Sequence, residues 1–232
     1  MPDTYSEILK AVKDDTKQLA QKALQDDFKT LADWISPSTY PAEHSAKLRE
    51  RQEGTGGWFV RLSEVNTWLN TPKSTLLCHG ELGTGKSMLS AILIKHSLKT
   101  VKTELVGVAW VFIRHKAKLN DAGEDHTKAE LLAALLKQLM QSHTKIEEYM
   151  EHQFRDQIKE ESGISEYDTV KMLDFWIPKL STTYIVVDAL DESIDTPQRD
   201  QFVEYLQSLK LSADVRILIT SQFVTTALQS AP

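Results

Sequence analysis

The amino-acid sequence predicts an α/β fold built around a parallel sheet, and three observations support this prediction. Four short apolar runs, typical of buried strands, alternate with segments whose apolar residues recur every three or four positions. The first run leads into a glycine-rich loop, and the third run ends on an aspartate. Strands that alternate with helices pair in parallel through right-handed crossovers. We therefore expect a three-layer sandwich with about four core strands, preceded by an N-terminal helical segment.

The expected strands cover residues 75–79, 105–113, 184–188 and 215–219. The expected helices include one directly after the glycine-rich loop and stretches at 146–159 and 170–180. Thr127 and Glu130 have the spacing of a capping box ahead of a leucine-rich helix, and Thr196-Pro197 is typical of a helix start. Residues 120–126 are polar and are expected to form a loop.

The N-terminal region has a different pattern. Apolar residues from Tyr5 to Leu31 follow helical spacing, which predicts a long helix with one apolar stripe. This stripe would dock a partner, form a coiled-coil seam or pack against its own domain. The helix should end near Ser36-Pro37, because a residue before proline disfavours helical geometry, and residues 36–53 are expected to form a linker.

A tight turn and a short helix are expected between this linker and the first strand. Gly54-Thr55-Gly56-Gly57 favours the turn, and Val65, Trp68 and Leu69 share one side of the helix, which ends at Thr71-Pro72. The chain thus divides into an N-terminal helix and linker, residues 1–50, and a larger domain, residues 51–232.

Composition and charge exclude several classes of protein. Hydrophobic residues make up 41% of the 232 residues, which is enough for a sizeable core. The formal net charge of -6 argues against a general nucleic-acid binder, which usually carries a basic surplus. The single cysteine, Cys78, excludes an intramolecular disulfide and is expected to be buried. No apolar stretch is long enough to span a bilayer, and we expect a cytoplasmic protein.

A phosphate-binding loop follows the first strand, with the sequence Gly80-Glu81-Leu82-Gly83-Thr84-Gly85-Lys86-Ser87. Its glycines let the backbone curl so that successive N–H groups face an anion, and the next helix adds partial positive charge. Lys86 would bind the β- and γ-phosphates, and the Ser87 hydroxyl would bind a metal ion. The alternative is a glycine-rich turn with a surface lysine.

An acidic cluster follows the third strand. Asp188 ends that strand at the edge of the sheet where α/β folds bind ligands, and we expect it to hold Mg²⁺ through water. Asp191 and Glu192 lie just beyond it, and either would orient or deprotonate an attacking water. Three carboxylates this close would repel one another unless a cation or a basic group lies among them. The alternative is a charged turn in which Asp188 is an N-cap.

The fourth strand ends at Thr220-Ser221-Gln222, which should lie beside the phosphate loop. A polar side chain there, such as Gln222, would contact the γ-phosphate. The alternative is an ordinary turn at the end of a strand.

The order of these motifs resembles that of NACHT-type P-loop NTPases of the STAND class. Asp188-Ala189-Leu190-Asp191-Glu192 is similar to their second motif, in which a small residue follows the magnesium aspartate and two acids come soon after. Arg51-Gln52-Glu53-Gly54-Thr55-Gly56-Gly57-Trp58 and Trp34-Ile35-Ser36-Pro37 resemble the lead-in of fungal NOD-like-receptor, nephrocystin-3-like N-terminal and ankyrin-repeat proteins. His126-Thr127 also resembles the family pattern. The resemblance spans roughly residues 30 to 223.

The resemblance implies a P-loop NTPase fold and a signalling switch that binds ATP, or GTP, with Mg²⁺. Such proteins are held inactive by a bound diphosphate and assemble when a triphosphate binds. It also implies that the segment from Gly54 to Trp58 lies near the base and ribose. The alternative for that segment is a linker turn with Trp58 as an anchor in the core.

Two departures from the family pattern matter. The family usually ends its fourth strand with Thr-Ser-Arg, and the uncharged Gln222 in place of arginine would weaken triphosphate sensing or turnover. The family also continues with a fifth strand, a helical lid and a winged helix, so the chain is expected to be truncated, with oligomerisation only through those regions. The fifth strand of the family flanks the first, whose edge the N-terminal helix would then cover.

Three functional hypotheses follow. The first is a nucleotide-binding switch with at most slow hydrolysis. The second is a vestigial NTPase that binds protein partners through its N-terminal helix. The third, which we favour less, is a small phosphotransferase, because the arginines that a lid needs are sparse between Arg114 and Arg199. The absence of an Asn-Lys-x-Asp sequence for guanine favours ATP over GTP.

Overall fold

The sheet has four parallel strands in the part of the chain that the structure describes. The computed structural model describes residue 16 and residues 26–100, 105–114, 127–154, 156–160, 163–192 and 196–223. The strands are β1 (Thr75–His79), β2 (Val106–Phe112), β3 (Thr182–Asp188) and β4 (Val215–Ser221), in the order β1-β4-β3-β2. Every pair of neighbours is parallel, which confirms the predicted fold class.

Helices precede and connect these strands. Helix α1 covers the described residues 26–35, and α2 (Tyr40–Glu50) and α3 (Ser63–Asn70) also come before β1. The chain continues with α4 (Lys86–Thr100), α5 (Lys128–Gln141), α6 (Thr144–Phe154), α7 (Glu166–Trp176) and α8 (Thr196–Ser212). Single 3₁₀ turns occur at Phe59–Arg61, Gln157–Glu160 and Ile177–Lys179. The loop expected at 120–126, with His126, lies outside the described residues. None of the described helices is both long and apolar enough to cross a membrane.

The helices lie in two layers, one on each face of the sheet. From β1 the chain crosses through α4 to β2 at the far edge, and it then returns through β3 to β4. Because such crossovers are right-handed, this reversal of direction places α4 on one face and α5, α7 and α8 on the other. The contacts agree, since α4 packs against α2 whereas α5 packs against α6, α7 and α8. Strands β2, β3 and β4 are buried between the layers.

The predicted linker contains a helix. Helix α2 occupies Tyr40–Glu50, so the expectation of a linker at 36–53 is wrong for most of its length. Pro41 lies in the first turn, where its missing N–H removes no intrahelical bond. Tyr40 and His44 are buried, and His44 Nε2 donates to the carbonyl oxygen of Ala91 at 2.9 Å. This contact holds α2 against α4, the helix that follows the phosphate loop.

Helix α1 packs against its own domain. Its last residue is 35, as Pro37 predicts, and Leu31 is fully buried. The ring of Trp34 lies 5.5 Å from that of Phe154 in α6, and Lys137 Nζ in α5 donates to Ser36 O at 2.7 Å. For this part of the N-terminal stripe, packing within the chain is therefore the alternative that the structure supports. Residues 5–15 and 17–25 of the predicted helix lie outside the described residues.

Helix α5 is buried along most of its length. Thr127 Oγ1 accepts the N–H of Glu130 at 3.2 Å and Glu130 Oε2 accepts that of Thr127 at 2.9 Å, which confirms the capping box. Every side chain from Leu131 to Met140 is buried, including Gln138. The Gln138 Oε1 accepts the N–H of Trp110 at 3.1 Å, and its Nε2 donates to Trp110 O at 2.7 Å. The amide thus pairs with the outer edge of β2 as a neighbouring strand would.

Strand β1 is the other edge of the described sheet. Its residues are only partly buried, in contrast to the other strands. Cys78, which was expected to be buried, is half-buried, and desolvation raises the pKa of its thiol. The described part of α1 does not cover this edge, because it packs against α5 and α6, so the expected cover does not come from residues 26–35.

Candidate functional site

The phosphate loop connects β1 to the first turn of α4, as the sequence predicts. Gly83 and Gly85 have φ values of 82° and 87°, in the region that favours glycine, and the space around both is open. The N–H of Gly80 donates to Ser221 O at 3.2 Å, which fixes the start of the loop to the end of β4. Thr84 Oγ1 donates to Glu81 O at 2.8 Å across the loop, and Leu82 at the tip is exposed.

Lys86 lies at the first position of α4 and turns back over the loop. Its Nζ donates to the carbonyl oxygens of Gly80 and Glu81, so the ammonium charge lies within the curve of the backbone. The N–H groups of a first helical turn have no acceptors inside the helix, and they carry the positive end of the helix dipole. A curled loop, a cation and a helix start are together the features that a phosphate-binding site requires.

Asp188 is hydrogen-bonded to α4, the helix that follows the phosphate loop. It ends β3 with 2% of its surface exposed, and its Oδ1 accepts hydrogen bonds from Ser90 Oγ at 2.8 Å and Thr220 Oγ1 at 2.7 Å. The carboxylate therefore binds α4 and β4, which excludes the alternative of an N-cap. Ser90 lies three residues after Ser87, so the two hydroxyls share one face of α4. Asp188 is thus held on the helical face that carries the predicted metal-binding hydroxyl.

Thr220 and Ala189 shape the turn after β3. The Ala189 N–H donates to Thr220 Oγ1 at 2.9 Å, and the Leu190 N–H donates to Thr220 O at 3.0 Å. Ala189 has a φ of 57° and is buried, a combination that favours a small residue. Thr220 thereby connects the end of β4 to the end of β3 through hydrogen bonds, a role that the sequence analysis did not assign.

The other predicted site residues lie close to this turn. Asp191 Oδ1 accepts the N–H of Gln222 at 2.9 Å, and the Glu192 N–H donates to Ala189 O at 2.9 Å. Within the described residues, no three acidic, histidine or cysteine side chains gather into a metal site, so the three carboxylates do not converge. A hydroxyl and one carboxylate nevertheless fit Mg²⁺, which commonly completes its shell with water and phosphate oxygens. The roles of Asp191, Glu192 and Gln222 remain predictions.

The glycine-rich turn before β1 lies against α4. Gly54 and Gly56 have φ values of 79° and 68°, which confirms the tight turn. A Cβ at Gly56 would lie 2.3 Å from Ile92 Cδ1, so the backbone approaches the helix closely. Trp58 is 53% exposed, which excludes it as a core anchor, and Phe59 is buried instead.

Two residues that the sequence analysis missed, Ser90 and Thr220, hold Asp188 in place. A weak signal for Ser90 was present, because a serine three residues after Ser87 lies on the same side of the helix as that residue. Thr220 was noted only as part of the end of a strand. Its hydrogen-bond partner, Asp188, is 32 residues away, and the parallel pairing of β3 and β4 brings the two side chains together.

Comparison with known proteins gives one family match. The model of a family described as nephrocystin 3, N-terminal, matches residues 54–222, which begins at the glycine-rich turn and ends at Gln222. No curated protein matches the chain. One solved structure that matches is that of C. elegans PCH-2, with 17% identity over 74% of this chain and a TM-score of 0.32. The match covers 37% of that protein. Since the family model covers well over half of the chain, this protein belongs to the nephrocystin 3 N-terminal family.

Proposed function

We propose that this chain is the nucleotide-binding module of a NACHT-type signalling switch in the cytoplasm, and that it binds ATP, or GTP, together with Mg²⁺. The observation that carries the proposal is the hydrogen bond between Ser90 and Asp188, because it joins the two motifs that a Mg–nucleotide site requires. The phosphate loop and Asp188 are far apart in the sequence, but both meet α4. The loop leads into the first turn of this helix, and Asp188 accepts a hydrogen bond from its Ser90.

Each residue of the site has a role in the proposal. The loop backbone from Gly80 to Gly85 and the ammonium group of Lys86 bind the phosphates, and the Ser87 hydroxyl and Asp188 hold the metal. Mg²⁺, when bound, supplies positive charge that neutralises the β- and γ-phosphates. The turn from Gly54 to Trp58 lies against α4, which is consistent with a position near the base and ribose.

Hydrolysis is proposed to be slow. Asp191 or Glu192 would orient or deprotonate the attacking water. The Asp191 carboxylate already accepts the Gln222 N–H, and Gln222 brings no charge to a γ-phosphate. We therefore expect similar affinities for the diphosphate and the triphosphate. Protein partners would bind through residues before 26, and unchanged capture of a partner after deletion of residues 1–25 would remove this part of the proposal.

Calorimetric titration with Mg–ATP tests the nucleotide site. Wild type should give saturable heat, and Lys86→Ala should weaken binding by about tenfold to a hundredfold, because it removes charge-assisted bonds to phosphate. Asp188→Asn should keep the fold, since an amide oxygen accepts the same two hydroxyls, but should lose the difference between titrations with Mg²⁺ and with EDTA. Mg–ADP and Mg–GTP titrations then define the preferred nucleotide.

The control is Lys99→Ala, which removes an exposed lysine from the last turn of the same helix. It should bind Mg–ATP as wild type does. The proposal is wrong if wild type gives no saturable heat, or if Lys86→Ala and Lys99→Ala bind equally well.

A further inference from the structure

A cavity lies at the end of the sheet opposite to the phosphate loop. It is bordered by Leu105, just before β2, and by Leu180, shortly before β3, and so lies at the amino ends of the strands. Ile146 and Trp176 complete its apolar wall. Its volume is about 300 Å³, which is at the lower end of the range for pockets that bind small organic molecules. The phosphate loop lies at the carboxyl ends, so the two sites are separate.

Two buried polar atoms belong to the residues that line this cavity. His143 is 7% exposed, and its Nδ1 lies 2.8 Å from Leu139 O. A carbonyl oxygen only accepts hydrogen bonds, so the contact with Leu139 O places a proton on Nδ1, and Ser142 Oγ at 3.0 Å is a second acceptor for that proton. In the tautomer with this single proton, Nε2 is an acceptor. Within the described part of the chain, neither His143 Nε2 nor Trp176 Nε1 has a hydrogen-bond partner. Buried polar atoms usually have partners, which indicates that a ligand could supply them here.

Two lysines add positive charge at the cavity. Lys145 and Lys179 line it, and both are exposed. Among the described side chains, neither lysine forms a salt bridge, although the whole chain carries a net charge of -6. Lys179 Nζ donates to Phe175 O at 2.9 Å and lies 3.4 Å from the centroid of the Phe175 ring, which leaves one of its three donor hydrogens for another acceptor. The cavity therefore combines an apolar wall with two cations.

We propose that this cavity binds a small hydrophobic carboxylate that also carries a hydroxyl or amino group. The apolar part of the ligand packs between Leu105, Ile146 and Leu180. Its carboxylate pairs with Lys145 and Lys179 and accepts the Trp176 N–H. Its hydroxyl or amino group donates to His143 Nε2. Hydrophobic hydroxy acids and amino acids have this combination of groups.

Three related compounds test each part of the proposal by saturation-transfer NMR titration of the full chain. 3-Phenyllactate has all the required groups, 3-phenylpropanoate lacks the hydroxyl, and 3-phenyllactamide lacks the charge. 3-Phenyllactate should bind saturably, and 3-phenyllactamide should bind about tenfold more weakly, as expected for the loss of charge-assisted bonds. 3-Phenylpropanoate should bind about threefold to tenfold more weakly, because it leaves His143 Nε2 without a partner.

Variants connect this binding to the cavity. The double variant Lys145→Met, Lys179→Met should bind 3-phenyllactate about tenfold more weakly. It should stay folded, because both side chains are exposed and only the surface contacts of Lys179 with Phe175 are lost. Lys171→Met removes an exposed lysine of α7 that does not line this cavity, and it should bind as wild type does. Lys86→Ala should also leave this binding unchanged.

Three results would overturn the proposal. The first is no saturable binding of any of the three compounds to wild type. The second is equal affinity for all three compounds. The third is an affinity of the double variant that matches wild type, or an equal loss in Lys171→Met, which would indicate unspecific attraction to surface lysines.

Discussion

Replacing Thr220 with valine tests whether the hydroxyl of this side chain holds Asp188 in place. Valine has nearly the same shape as threonine but lacks the hydroxyl. The substitution removes the 2.7 Å hydrogen bond to Asp188 and the acceptor of the Ala189 N–H. Both groups that lose a partner are buried.

The expected loss follows from these two contacts. A hydrogen bond to a charged group contributes about 1.5–3 kcal/mol, and a buried N–H left without an acceptor costs about 1–3 kcal/mol. Thr220→Val should therefore lower the free energy of unfolding by about 2.5–6 kcal/mol, or the melting temperature by about 5–24 °C for a chain of this size. Ser90→Ala removes only the bond to Asp188 and should cost about 2 kcal/mol.

Urea unfolding followed by circular dichroism measures these differences, and Thr183→Val is the matched control. Thr183 is buried in β3 with 1% of its surface exposed, and its Oγ1 has no partner among the described residues. Its replacement by valine should be neutral or stabilising, because no hydrogen bond is lost. The reasoning fails if Thr220→Val costs less than about 1 kcal/mol, or if Thr183→Val costs as much.

Two further predictions concern the segment before the phosphate loop. The pKa of His44 is lowered mainly by burial, so below the ordinary value of about 6.5 the unfolded chain takes up a proton that the folded protein resists, and stability falls with decreasing pH. Urea unfolding at about pH 7.5 and about pH 5 should show a smaller loss for His44→Gln, and equal losses would exclude His44 as the cause. Gly56→Ala should cost more than the about 1–2 kcal/mol that its φ of 68° alone costs a side chain, because the new Cβ also meets Ile92. Gly54→Ala has a similar φ but open space and should cost less under the same assay; an equal cost would show that the contact with α4 contributes nothing.

The features of this fold that depend on local sequence could be predicted. Strand β1 was predicted with its observed bounds, because an apolar run that ends at a glycine-rich loop leaves little choice. The capping box of Thr127 and Glu130 was also predictable, since both of its hydrogen bonds join residues three positions apart. The family resemblance could be recognised for a similar reason, because it depends on short local motifs and on their order along the chain.

Features that depend on distant partners could not be predicted. Helix α2 was missed because Pro41 and its many polar residues suggest a linker, whereas its stability comes from Tyr40 and His44 packing on elements later in the chain. Similarly, Lys137 and Gln138 are polar residues in a leucine-rich helix, and only the fold reveals that both are buried. The link from Ser90 to Asp188 spans 98 residues, and no local pattern indicates it.

The amide of Gln138 has a consequence for how the sheet can grow. Because one side chain satisfies both backbone groups of Trp110, another strand can pair beside β2 only if it displaces a buried helix. Within the described part of the sheet, β2 is therefore the blocked edge, and β1 is the edge beside which a further strand could pair. Strand β1 is the strand that leads into the phosphate loop. Any strand that joins this sheet beside β1, from this chain or from another, would thus do so next to the proposed nucleotide site.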